Sequence, residues 1–191
     1  MTMSPDVNTT VCFPKGPPDI NIVIVGDSYV GKTSLLKTFV THEYSKKYEG
    51  PSLERYFEDI TVDGQDFHLI LWEPIALESY DKMREFIYGK AECIVVCYAV
   101  NDLESFQRVS TFWCPEIQKY CQDTPILLAA LKADLRDQNF KCISRSQGKD
   151  LKCILNASGF VECSSFLGIG LKDVFVKAIQ CVLKEEKCKV A

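Results

Sequence analysis

Eight consecutive residues constrain this chain more than any other feature. Gly26-Asp27-Ser28-Tyr29-Val30-Gly31-Lys32-Thr33 reads G-x-x-x-x-G-K-T. Before it stands INIVIV, residues 20–25, a nearly continuous apolar run suited to a strand buried on both faces. After it, residues 32–41 place Leu35, Leu36, Phe39 and Val40 on one helical face. Strand, glycine turn and helix in that order make a loop that cradles phosphate. Gly31 lets the backbone approach an anion, and the amides of the helix N-terminus point at it. Lys32 is placed to reach β- and γ-phosphates, Thr33 offers a hydroxyl to Mg²⁺, and Ser34 follows in the first turn.

The rest of the pattern extends that unit. Residues 56–62 and 67–72 are strand-like runs on either side of Asp63-Gly64, a strong hairpin signal. Residues 93–100 and 126–131 read as buried strands, and 159–163 as a shorter one. Helical spacing is found over 103–121, with Pro115 expected to kink or interrupt it, and over 146–155. Leu171, Val174, Phe175, Ala178, Ile179, Val182 and Leu183 form the apolar stripe of a last helix. The expectation is an α/β fold: a six-stranded, mostly parallel sheet with one antiparallel edge strand and helices on both faces. Ligands of such sheets bind at the carboxyl ends of the strands. The expected division is a proline-containing leader at 1–19, a nucleotide-binding domain at 20–183 and a tail at 184–191.

Composition narrows the function classes. With 191 residues, 47% hydrophobic and 25% charged, the chain suits one globular domain. A formal charge of −4 disfavours a nucleic-acid binder. The longest apolar run, 93–100, is far short of the roughly 20 residues of a spanning helix. No secretory signal or N-myristoylation pattern opens the sequence, so the expected compartment is the reducing cytoplasm. The 10 cysteines contain no C-x-x-C pair, and the 2 histidines lie far from them in sequence. Buried, free thiols are therefore expected rather than disulfides or zinc.

Which base the loop serves is suggested by Lys132-Ala133-Asp134-Leu135 at the end of the fifth strand. The Asp134 carboxylate matches the two N–H groups of guanine's Watson–Crick edge, and the Lys132 stem can pack over a base. At the end of the sixth strand, Ser164 and Ser165 can present backbone N–H to the base oxygen. An ATP-dependent P-loop kinase is the remaining alternative within this fold.

From about residue 20 to 183 the sequence resembles the Ras superfamily, and within it the Rho family of small GTPases, nearest the RhoD and RhoF branch. Asp27, Val30-Gly31-Lys32-Thr33, Leu71-Trp72, Tyr80-Asp81, Pro115-Glu116-Ile117, Thr124-Pro125-Ile126 and Asp134-Leu135-Arg136-Asp137 carry the likeness, and Glu54-Arg55-Tyr56 carries the branch. The resemblance implies GTP/GDP and Mg²⁺ as cofactors, effector proteins as partners and a monomer. It also implies signal transduction linked to the cytoskeleton or membrane traffic. Only residues 138–145 fill the place of the Rho insert helix, which is therefore expected to be shortened or absent.

The likeness also exposes departures at the hydrolytic centre. Where the family carries D-T-A-G-Q, this chain reads Glu73-Pro74-Ile75-Ala76-Leu77. Glu73 keeps the charge of the Mg²⁺-contacting aspartate but is one methylene longer. Ala76 replaces a glycine and Pro74 fixes the backbone and removes a donor. Leu77 replaces the glutamine that orients the attacking water, and an alkyl group cannot hold that water. Ser28 stands at a P-loop glycine, with the bulkier Tyr29 beside it, and Leu131 stands at the usual Asn or Thr. Tyr44 takes the place of the aromatic that meets the guanine edge. Pro51 falls at the Mg²⁺-binding threonine in an ungapped alignment, and Ser52 falls there with a one-residue slip. No hydrolytic residue is intact in this reading, so binding with impaired or absent hydrolysis is expected. The alternative is a pseudo-GTPase scaffold that binds little or no nucleotide. The ending Cys188-Lys189-Val190-Ala191 fits C-a-a-X loosely and implies farnesylation of Cys188, hence a weak anchor on the cytoplasmic face of a membrane.

Overall fold

The computed structural model describes residues 16–47, 53–138 and 141–190, with no side-chain description at 137–138 and 186–190. Among these residues the order is β1 (Asp19–Gly26), α1 (Lys32–Thr41), β2 (Glu54–Val62), β3 (Gln65–Glu73), α2 (Asp81–Tyr88), β4 (Cys93–Ala99), α3 (Leu103–Arg108), α4 (Cys114–Tyr120), β5 (Ile126–Leu131), α5 (Arg145–Ile154), β6 (Gly159–Glu162) and α6 (Leu171–Val190). One six-stranded sheet runs β2-β3-β1-β4-β5-β6. Only the β2–β3 pair is antiparallel, joined at Asp63-Gly64 as the hairpin signal predicts. The expected α/β architecture is therefore the observed one.

Two apolar layers flank the sheet because β1, β4 and β5 are apolar on both faces. On one side Ile22 and Ile24 meet Leu35, Leu36 and Phe39 of α1 and Phe175 and Ile179 of α6. Phe39 and Phe175 stack with centroids 3.9 Å apart. On the other side Val23 and Val25 meet Ile87 of α2, Trp113, Ile117 of α4 and Leu151 of α5. Cys93, Cys97, Cys114, Cys163 and Cys181 are buried free thiols, and desolvation raises the pKa of each. Eight cysteines are described as free, and no cluster of three or more His, Cys, Asp or Glu that could hold a metal occurs among the described residues. Among those residues, too, no helix is long and apolar enough to cross a membrane.

β2 and β3 begin two residues earlier than the sequence reading and β4 and β6 end one residue sooner, and four further differences have a local cause. β1 opens at Asp19, inside the expected leader, because Pro18 already hydrogen-bonds His68 through its carbonyl. The 103–121 helix is three segments: α3, a π-helical turn at Val109–Trp113, and α4 with Pro115 in its first turn. There Pro115 replaces a helical N–H without ending the rod, the position proline tolerates best. α5 starts one residue early because Ser144 and Gln147 close a reciprocal capping box. α6 continues to Val190, through most of the expected tail. A 3₁₀ helix spans Ala133–Gln138, and residues 141–144 are non-helical.

A buried ion pair ties the loop after β3 to the second layer. Arg84 of α2 is fully buried and meets Glu116 of α4 through two bonds of 2.8 Å. The same guanidinium donates to the carbonyls of Ile75 at 3.0 Å and Leu77 at 2.6 Å, while the Tyr88 hydroxyl donates to Glu116 at 2.8 Å. Breaking a buried pair leaves one charge unmatched, which costs about 3–5 kcal/mol. Arg84→Met is expected to lower stability by that amount in urea unfolding. Phe86→Ala, at an exposed position of the same helix, should change it by less than about 0.5 kcal/mol.

Candidate nucleotide site

The site is built at the carboxyl ends of β1, β3, β5 and β6. β1 ends at Gly26, whose φ is +141° and whose Cβ, were there one, would lie 2.3 Å from the Cys97 carbonyl oxygen of β4. Glycine is thus required for the chain to leave the sheet there. Gly31, at φ +112°, caps α1 and lets the chain enter the helix. Between them Val30 is buried in the first core layer, Ser28 is half-buried, and Tyr29 is exposed in the left-handed region at φ +65°.

Lys32 is the electrostatic centre of the loop. Its side chain is buried, and Nζ donates to the carbonyls of Gly26 at 2.9 Å and Asp27 at 2.7 Å. Burial pulls its pKa below the ordinary lysine value, opposed chiefly by Glu73. Those two acceptors are neutral, so neither bond cancels the ammonium's charge. Thr33 Oγ1 donates to Glu73 Oε1 at 2.7 Å. Burial raises the Glu73 pKa, and the Thr33 bond opposes the shift. Glu73 Oε2 is buried with no hydrogen-bond partner among the described residues. A divalent cation at this hydroxyl and carboxylate would satisfy that orphaned oxygen, so the pair fits Mg²⁺. Magnesium is commonly held by one or two protein oxygens together with substrate phosphates.

The base side is a cavity of about 420 Å³. Gly31, Ser34, Tyr44, Leu131, Lys132, Asp134, Leu135 and Ser165 line it, together with Phe166. Of the expected base-side residues, Tyr44, Lys132, Asp134, Leu135 and Ser165 share this cavity. Lys132 adopts φ +58°, packs its stem over Gly31, and donates from Nζ to the Tyr29 carbonyl at 2.6 Å. Base loop and phosphate loop are thus tied directly. Ser164 sits behind the cavity, where its hydroxyl donates to Asp134 Oδ1 at 2.5 Å. That bond orients the carboxylate and leaves Asp134 Oδ2 for a ligand. Tyr44 meets Phe166 edge-on, with centroids 5.5 Å apart.

Three contributors were hidden from sequence reasoning. Phe166 lies two residues past Ser164 in a turn closed by mutual Ser164–Ile169 backbone bonds, and no spacing rule places its ring. Arg108 Nε and Trp113 Nε1 both donate to Asp27 Oδ1, at 2.9 and 2.8 Å, from either end of the π-helical turn. A regular α-helical count does not anticipate that pairing, because the π turn adds a residue. Arg108 also reaches Glu78 Oε1 at 3.1 Å, in the short 3₁₀ turn Glu78–Tyr80 after β3.

Of the departures, Pro74 is buried and Ala76 packs against the second core layer. Leu77 is 49% exposed, while Arg84 holds its carbonyl. Pro51 and Ser52 lie outside the described residues. Cys188 falls in the last turn of α6, with its side chain outside them.

Comparison with known proteins agrees with this geometry. The Ras family model matches residues 21–184. The "Ras-like GTP-binding protein RhoL" of Drosophila melanogaster is 32% identical over 179 residues, covering 93% of this chain and 94% of that protein. The "GTP-binding protein rho3" of Schizosaccharomyces pombe is 36% identical, covering 90% and 88%. The "GTP-binding protein RHO2" of Saccharomyces cerevisiae is 36% identical, covering 87% and 90%. A phosphate loop around a buried lysine, a carboxylate facing a base-sized cavity and these relatives converge: the chain belongs to the Ras family, as a Rho-like small GTP-binding protein.

Proposed function

We propose that this protein binds guanine nucleotide with Mg²⁺ and hydrolyses GTP very slowly or not at all, so that it signals by its bound state rather than through a hydrolytic cycle. Leu77 carries the reading. At the position of the family's water-orienting glutamine it offers no polar atom, and its backbone is held by Arg84. Phosphoryl transfer of this kind rests on positioning and electrostatics, so a group that cannot position water removes most of the protein's contribution. The retained residues divide the other work. Lys32 and the α1 N-terminus bind the phosphates, Asp134 and Lys132 the base, and Thr33 with Glu73 would hold the metal. When bound, Mg²⁺ neutralises phosphate charge.

Effector proteins would dock on the altered segments around Leu53-Glu54-Arg55 and Ala76–Tyr80, with the protein acting as a monomer in the cytoplasm. A second reading, a scaffold with an empty pocket, draws on one observation. Lys32 and Thr33 are already bonded within the chain, to loop carbonyls and to Glu73. The unpartnered Glu73 Oε2 favours the binding reading over it.

Single-turnover hydrolysis of preloaded GTP is expected to run at least about tenfold slower than in a Rho relative with an intact glutamine. A rate equal to that relative's would refute the deficiency. We further propose that Cys188 is farnesylated. Intact-mass measurement of protein from eukaryotic cells should show one farnesyl group after removal of the last three residues, lost in Cys188→Ser. An unmodified C-terminus would refute the anchor.

A further inference from the structure

Arg108 bridges the phosphate loop and the turn after β3. It lies at the end of α3, and its side chain is 29% exposed. Nε holds Asp27 of the phosphate loop, and Nη2 holds Glu78, the residue after Leu77. Phe112 stacks under the guanidinium, 4.5 Å from ring centroid to Cζ. Trp113 Nε1 supplies the second bond to Asp27. Asp27 is no remote partner: its own carbonyl accepts from Lys32 Nζ at 2.7 Å.

The charges make this arrangement consequential. Asp27 and Glu78 place two carboxylates beside a loop that must accept a polyphosphate. Uncompensated, they would repel it. One planar guanidinium satisfies both, which a single ammonium does less well. We propose that Arg108 is a positioning residue for the phosphates: it straps the turn after β3 to the phosphate loop and offsets the two carboxylates at the loop's rim. The proposal rests on the guanine-nucleotide reading above and assigns a specific residue to its phosphate side. Because a triphosphate carries more charge than a diphosphate, the strap favours GTP over GDP.

The test is equilibrium binding of a non-hydrolysable GTP analogue and of GDP, both at fixed Mg²⁺, to the full chain and its variants. Arg108→Gln is expected to weaken the GTP analogue about three- to tenfold, with a smaller loss for GDP. Arg108→Lys should fall between. Adding Glu78→Gln to Arg108→Gln should recover part of the loss by removing one repulsive carboxylate, and raised salt should shrink the difference. A merely structural arginine would weaken both nucleotides equally, and Glu78→Gln would restore nothing. Either of those results, or unchanged affinity in Arg108→Gln, overturns the proposal. If the unaltered chain binds neither nucleotide, the guanine-nucleotide reading itself fails and this inference falls with it.

Discussion

A buried lysine organises this molecule. The Lys32 ammonium sits under its own loop and is held by two neutral carbonyls, Gly26 and Asp27. Burial without a bonded carboxylate is costly, and the chain meets the cost by folding the loop around it. That folding fixes the rest. β1 must stop against β4 at a residue with no side chain, α1 must start from Gly31, and Lys132 must bend to φ +58° to close over the loop. The phosphate side and the base side are therefore one construction, joined by the Lys132–Tyr29 bond.

Much of this was legible in the sequence because it depends on local rules. Apolar runs before glycine mark strands buried on both faces, and Asp63-Gly64 marks the hairpin. Lys32, Thr33, Lys132 and Asp134 lie at strand ends, where the topology converges, and the structure gathers them. What escaped depends on long-range geometry. The π-helical turn before Pro115 brings Arg108 and Trp113 onto one carboxylate. Tyr44 and Phe166 meet across a cavity although they are far apart in sequence. Arg84 looks like an ordinary surface arginine of an amphipathic helix, yet it is fully buried because Glu116 and two carbonyls surround it.

The ten cysteines follow the same division. Most described ones are core filler, as their spacing suggested, and Cys163 lies just past β6, between the strand and the Ser164 that bonds Asp134. The loop after β3 is different in kind. Pro74, Ala76 and the Arg84 bonds hold its backbone to the core, and Arg108 holds Glu78 to the phosphate loop. A segment anchored at so many points is suited to presenting one surface rather than alternating between two. That agrees with the proposed reading, in which nucleotide is bound and hydrolysis is lost with Leu77 at the place of the family's glutamine.

On the proposed reading binding survives while hydrolysis does not, and the nucleotide found in freshly purified protein, released by denaturation and identified by chromatography, decides it. Guanine nucleotide near one equivalent is expected, with GTP as a major species. Protein that carries only GDP would contradict the loss of hydrolysis, and protein that carries no nucleotide would contradict the binding site itself.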